Sequence, residues 1–326
     1  EDSNMDASFT NGSAQAARGE CVYGDVEVTR RVDGTPISIP VILVQGEEPG
    51  PVLCLNGGIH GDEFAGMAAI RRLAHDIDPA ELRGTLVAVP VVNQPAFEDA
   101  CFTNHYDHLN LNRAFPGSPT GSLTNKIAHA FLHEIVLKCN AMVDLHGGGG
   151  YAHITKVVIA QGGFEELAWE LALASGFDLV WVGGGWNGTG RISALQAGIP
   201  AITVEAGGGM ACSEGDVDVH YNAARNVMLH LGMLPGQAAY APQYRVIKGS
   251  QTFAARGGFF HPVTKPGEDV RRGEVLATIA DMHGRTVEEL IAPQDSVVVE
   301  LRQAPTILPG DVVCILGEVI ERRERN

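Results

Sequence analysis

Through the first three quarters of the chain, short apolar runs alternate with stretches whose apolar residues recur every three or four positions. Val52–Leu55, Thr85–Val92, Ala141–Val143 and Ala201–Val204 are largely apolar and bounded by Gly, Pro or polar residues, which predicts strands buried on both faces. Leu179–Val182 predicts a further short strand, and Pro90 inside TLVAVPVV predicts a distorted or edge position for that one. Helical spacing marks Phe64–Ala74 (FAGMAAIRRLA), a stretch after Ser118 running to about Cys139, Phe164–Ser175 and Asp218–Leu231. Between Tyr23 and Val44, alternation around the turn DGTP predicts antiparallel strands at one edge of the main sheet. Residues 1–20 show no apolar period and predict a flexible leader. The pattern as a whole is that of an α/β fold, with a largely parallel sheet flanked by helices.

From Tyr244 onward helical periodicity vanishes and short apolar strands alternate with turns, which predicts a small all-β module over residues 241–326. KPGEDVRRGEVLATI and IAPQDSVVVE resemble half-repeats of a biotinyl/lipoyl-type barrel, but the intervening ADMHGRTVEE offers no lysine flanked by apolar residues for a carrier role.

Composition narrows the partners. The 326 residues are 45% hydrophobic and 19% charged, enough for one large domain plus a smaller one, and the formal net charge of −16 argues against nucleic acid or an anionic membrane. No apolar run reaches eighteen residues and no basic segment precedes a hydrophobic block, so a soluble cytoplasmic protein is expected. The six cysteines are scattered without a C-x-x-C pair, which excludes a zinc ribbon or a disulfide framework, and a Cys212–His nucleophile is the weaker alternative.

The candidate chemistry sits where apolar runs stop. PVLCLNGGIHGDE delivers His60 and Glu63 to a strand-to-helix turn, three positions apart, a spacing at which an imidazole and a carboxylate can share one cation. AMVDLHGGGG delivers His146 in the same way. Asp144, two residues earlier on the same strand face, or else Asp62, is positioned to accept from a metal-binding imidazole. AITVEAGGG ends a further run at Glu205, which suits a general base taking a proton from metal-activated water, or alternatively a helix cap or an arginine partner. Two histidines and one carboxylate with an open fourth position form the ligand set of a catalytic zinc site. His129 and His133 would share a helix face, but the H-E-x-x-H order is absent and a structural role is the simpler reading.

GGIHGDE, NLNRAFPG (residues 110–117), VDLHGGG and VEAGGG, in this order, resemble the succinylglutamate desuccinylase/aspartoacylase family of the zinc carboxypeptidase-like group, across roughly residues 40–320. The resemblance implies a carboxypeptidase-like mixed sheet, a zinc-hydrolase catalytic domain over residues 21–240, one Zn2+ per chain on His60, Glu63 and His146, and Glu205 as base. It also implies that Asn112 and Arg113 hold a substrate carboxylate, a role that suits the planar guanidinium fork. The arginine that usually precedes the Asn-Arg pair and polarises the scissile carbonyl is missing from CFTNHYDHLN. His105, His108 or Arg191 of the loop GGGWNGTGR could stand in, or zinc alone could carry the oxyanion, with Trp186 or Arg191 reaching the substrate.

The expected activity is hydrolysis of the amide bond of a small N-acyl amino acid, and within the resembling family N-acetyl-diaminobutyrate deacetylases share the NLNRAFPG style. A metallocarboxypeptidase on short peptides and a non-catalytic zinc-pocket binding protein are the alternatives. The β-module is expected to narrow the cleft or to make subunit contacts in a homo-oligomer.

Overall fold

The computed structural model describes residues 8–160, 166–183 and 187–325. Its strands are β1 (Phe9–Asn11), β2 (Ala14–Ala16), β3 (Glu20–Arg30), β4 (Pro36–Gln45), β5 (Glu48–Gly57), β6 (Arg83–Val89), β7 (Ala141–His146), β8 (Ala152–Ala160), β9 (Leu179–Val182) and β10 (Ala201–Gly208). Beyond residue 240 they continue as β11 (Gln243–Phe253), β12 (Gly258–Pro262), β13 (Asp269–Val270), β14 (Val275–Ala280), β15 (Thr286–Ile291), β16 (Ser296–Arg302), β17 (Thr306–Ile307) and β18 (Val312–Glu324). The helices are α1 (Phe64–Asp76), α2 (Gln94–Glu98), α3 (Leu123–Ala130), α4 (Glu166–Ala174), α5 (Gly190–Gln196) and α6 (Glu214–His230).

Twelve strands form one mixed sheet in the order β13-β16-β18-β11-β9-β8-β10-β7-β5-β6-β4-β3. Its centre, β6-β5-β7-β10, is parallel. These four strands are the apolar runs of the sequence, and their residues are buried because helices cover both faces. On one side α1, α4 and α6 pack over Leu53, Leu55, Val143 and Val204. On the other, α3, its continuation through Phe131–Lys138 and α5 pack over Cys54, Val87 and Met142. Each fully buried Leu or Ile here contributes roughly 1.5–3 kcal/mol.

An additional pairing of β16 with β8 closes β8, β9, β11, β18 and β16 into a five-stranded barrel. Its interior is filled by Val157, Leu179, Ile247, Val297 and Val299. Two strands from before residue 240 and three from after it therefore share one hydrogen-bonded ring. The remaining β12, β14, β15 and β17 form a separate four-stranded sheet.

Three expectations need correction. β1 and β2 pair within the stretch expected to be a flexible leader, and Ala14 and Ala16 are fully buried, because side chains this small let the hairpin lie close against β3 and β4. β6 ends at Val89, before Pro90, so the proline costs no ladder hydrogen bond and the strand sits inside the sheet between β4 and β5. α6 begins four residues earlier than the apolar spacing indicates, because Ser213 caps it by accepting from the Asp216 N–H. The N-terminal end of the Phe164–Ser175 helix and Trp186 lie outside the described residues. No described helix is long and apolar enough to cross a membrane.

Candidate metal centre and cavity

The parallel strands end side by side, which brings residues distant in sequence into register. Asn56 on β5 is level with Asp144 on β7, and His146 on β7 is level with Glu205 on β10. The chain leaves β5, turns through Gly58–Asp62 and enters α1 immediately after Glu63. His60, Glu63 and His146, all buried, place one ligand atom each within 4.8 Å of the others. This is the metal-capable group among the described residues. The His129 ring on α3 and the His133 ring on its continuation lie 4.2 Å apart without gathering a third ligand among the described residues.

Hydrogen bonds fix which nitrogen of each imidazole is free. Asn110 Oδ1 accepts from the Asn112 N–H at 2.7 Å, which identifies that atom as the carbonyl oxygen; it also lies 3.2 Å from His60 Nε2, so Nε2 carries the hydrogen. Asp144 Oδ2 lies 3.0 Å from His146 Nε2, while its Oδ1 accepts from Asn56 Nδ2 at 2.6 Å. Both Nδ1 atoms are thereby turned to Glu63: His60 Nδ1 is 2.7 Å from Oε1 and His146 Nδ1 is 2.9 Å from Oε2. The second contact does not make a hydrogen bond, leaving Oε2 without one. Acceptors facing acceptors at this spacing require a cation among them, a proton or a metal ion, and the donor set fits Zn2+.

The electrostatics agree. Burial works against the Glu63 carboxylate, yet the His60 and His146 charges outweigh it and bring its pKa down to about 2. For His146, burial opposes the charged form, but Asp144 and Glu63 hold its pKa well above the usual imidazole value. Glu205 behaves oppositely: burial pushes its pKa well above the carboxylate range, and the neighbouring Glu63, Glu300 and Asp144 charges add to burial while His146 opposes it.

A cavity of about 280 Å3 opens over this group. Its near wall carries His60, Glu63, His146 and Glu205 together with Asn112, Arg113 and Arg191. Arg191 follows the Thr189 cap of α5 and is 4% exposed; burial lowers its pKa to about 10, so it stays protonated at neutral pH, and its Nη1 has no hydrogen-bond partner among the described residues. The Gly190 N–H donates to Asn112 Oδ1 at 3.3 Å, which ties the arginine loop to the Asn-Arg turn. His105 is paired with Asp99 at the exposed surface, and neither it nor His108 lines the cavity. Asp62 accepts from the Gly150 N–H at 2.8 Å, pinning the glycine loop after His146 rather than an imidazole.

Several lining residues escape the sequence reading. Phe102 stacks on His60 with ring centroids 3.8 Å apart. The far wall is the open end of the barrel, with Ile154, Ile159, Trp181, Gln251, Glu300, Val312 and Ile315. Burial, and after it the Glu63 charge, push the Glu300 pKa up to about 7. Asn110 was visible only as the first letter of a motif, and nothing in the sequence near Glu300 marks it.

Residues 49–231 match the family described as Succinylglutamate desuccinylase/Aspartoacylase catalytic domain. The chain is 28% identical over 298 residues to the N-alpha-acetyl-L-2,4-diaminobutyric acid deacetylase of Halomonas elongata, covering 87% of each protein. Among solved structures, it resembles the product-bound ectoine utilization protein EutE (DoeB) from Ruegeria pomeroyi, with a TM-score of 0.85, 25% identity and coverage of 97% of this chain and 99% of that one. It also resembles a succinylglutamate desuccinylase/aspartoacylase from Rhodobacter sphaeroides, with a TM-score of 0.83, 26% identity and coverage of 92% and 95%.

Proposed function

The chain belongs to the succinylglutamate desuccinylase/aspartoacylase family, and from that membership we propose that it is a zinc-dependent hydrolase that cleaves the amide bond of a small N-acyl amino acid. The observation that carries this reading is the convergence of two imidazole nitrogens and one carboxylate at the floor of a small, arginine-lined cavity. The similarity to a deacetylase acting on an N-acetylated amino acid supports it.

Zinc held by His60, Glu63 and His146 would supply a Lewis acid for the attacking water and the acyl carbonyl. The residues of the chain do the rest. Glu205, level with His146 on the neighbouring strand, takes a proton from the water as its oxygen bonds to the acyl carbon. When the carbon–nitrogen bond breaks, Glu205 returns that proton to the leaving amine, and its raised pKa suits a group that must both accept and donate. Arg113, beside Asn112, binds the substrate carboxylate. Arg191, a buried cation with an unpartnered N–H in the cavity wall, occupies the role of the missing arginine and steadies the charge that develops on the carbonyl oxygen. A cavity of about 280 Å3 holds an acylated amino acid more readily than a peptide, which favours deacylation over carboxypeptidase action.

The test couples elemental analysis of the native protein and of His146→Ala with an amine-release assay over a panel of N-acyl amino acids, N-acetyl-2,4-diaminobutyrate first. One zinc per chain, lost with His146, together with release from a panel member is the expected result. Zinc without release from any of them would defeat the hydrolase reading, and activity in fully metal-free protein would defeat the metal assignment.

A further inference from the structure

The far wall of the cavity poses a chemical problem that the reaction does not use. Ile154, Ile159, Trp181, Val312 and Ile315 make it apolar, and into this surface β16 delivers Glu300. Glu300 is level with Ile154 on β8 and with Ile315 on β18, inside the closed ring. Among the described residues it has no hydrogen bond and no ion pair, and the charges coupled to it in the cavity are other carboxylates, Glu63 and Glu205. A carboxylate only partly open to water and without a partner either takes up a proton, as its raised pKa reflects, or is held charged by a cation brought into the cavity. The cavity's arginines sit on the opposite wall: Arg191 feels Asp144 and Glu205. Gln251 is the other polar side chain on the barrel side.

Register also sets its distance from the chemistry. Ile154 pairs with Gly207 of β10, so Glu300 lies two strand spacings, roughly 10 Å, from the strand end that carries Glu205. It is too far along the sheet to replace Glu205 beside His146, yet it faces the same space. A ligand anchored by its carboxylate at Arg113 and by its acyl group near His146 would turn its side chain toward the barrel end.

We infer that Glu300 is a specificity-determining residue that binds a side-chain ammonium, so that the enzyme selects N-acyl amino acids whose side chain ends in a primary amine. This rests on the deacylase reading for the identity of the ligand, but not for the presence of a cation subsite. The apolar walls accommodate the methylenes, and the carboxylate, assisted by the Gln251 carbonyl oxygen, accepts from the ammonium. Uncharged side chains of the same length leave Glu300 desolvated and are rejected, because discrimination is strongest where a buried polar group loses its partner.

The experiment measures binding to the zinc-loaded full-length protein by calorimetry, with 2,4-diaminobutyrate and norvaline as the two probes. Both carry the α-carboxylate and α-ammonium and differ only in the side-chain terminus, ammonium against methyl. The wild type is expected to bind the diamino acid at least about tenfold more tightly, as a charge-assisted contact allows. In Glu300→Gln, which keeps the shape and removes the charge, that ratio falls below about threefold, and in Glu300→Asp it recovers in part. Equal binding of the two probes by the wild type, binding of neither, or an undiminished ratio in Glu300→Gln would overturn the inference. A parallel loss of affinity for both probes would also overturn it, since that is what a purely structural role produces. Selective binding that depends on Glu300 in a protein that releases no amine from any N-acyl amino acid would instead sink the deacylase reading and leave the subsite standing.

Discussion

Asn110 and His60 are joined through a single oxygen: Asn110 Oδ1 accepts from the Asn112 backbone at 2.7 Å and lies 3.2 Å from His60 Nε2. One amide thus contacts both an imidazole of the metal-capable group and the start of the turn that carries Arg113. The metal-capable group and the Asn112–Arg113 turn are thereby mechanically linked.

Asn110→Ala should therefore damage two properties at once. Freed from its acceptor, His60 can turn or change tautomer, and zinc affinity should fall about 10–100-fold, the usual effect of removing a hydrogen bond behind a metal ligand. The turn also loses its cap, so KM should rise in protein reloaded with excess zinc. Competition against a chelator reads the first effect and steady-state kinetics the second; an unchanged zinc affinity would show that Asn110 does not orient the ring.

Glu205→Gln separates the base from the metal. The side chain makes no hydrogen bond to His60, Glu63 or His146, so zinc content should remain at one per chain while kcat falls about 10²–10⁴-fold, the range for removing a general acid–base. A variant that loses zinc as well as activity would make Glu205 part of the coordination group instead.

The convergence of His60, Glu63 and His146 was legible in the sequence because parallel strands end where their apolar runs end. His60, His146 and Glu205 each follow such a run, and the topology sets those ends in one line. Glu300 was not legible, since VVVEL reads as an ordinary β-strand and only the β16–β8 pairing, a contact between segments far apart in the chain, carries it to the cavity. Arg191 was legible as a candidate but not as the one that lines the cavity, because His105 and His108 were equally available until the surface position of His105 beside Asp99 was on view. The hairpin at Phe9–Ala16 was missed for a different reason: its buried residues are alanines and Asn11, which carry too little apolar signal to mark a strand.

Arg191→Lys tests whether the buried guanidinium does more than supply charge. An ammonium keeps the positive charge but loses the planar fork, so kcat/KM should drop about tenfold or more, with zinc content unchanged. Arg191→Met should fall further, by about 10²–10³-fold if the group stabilises the developing oxyanion. Equal activity of the lysine variant and wild type would reduce the residue to a source of local potential.

His220 contributes one identifiable part of how stability depends on pH. It is fully buried on α6; its Nε2–H donates to the Ala206 carbonyl at 3.2 Å, and its Nδ1 has no hydrogen-bond partner among the described residues. Burial lowers its pKa from 6.5 to about 4. Between these values the unfolded chain holds a proton that the folded chain does not, so unfolding becomes more favourable as the pH falls. The contribution of His220 is complete above pH 6.5 and is lost progressively down to about pH 4, to a limit of about 3 kcal/mol. His220→Gln cannot take up that proton. Although Gln lowers stability at pH 7 by disturbing a packed site, denaturant titrations from pH 7 to 4 should show a shallower decline for the variant than for wild type. Parallel curves would mean that His220 is protonated in the folded protein, and that water or a neighbouring carboxylate reaches its free nitrogen.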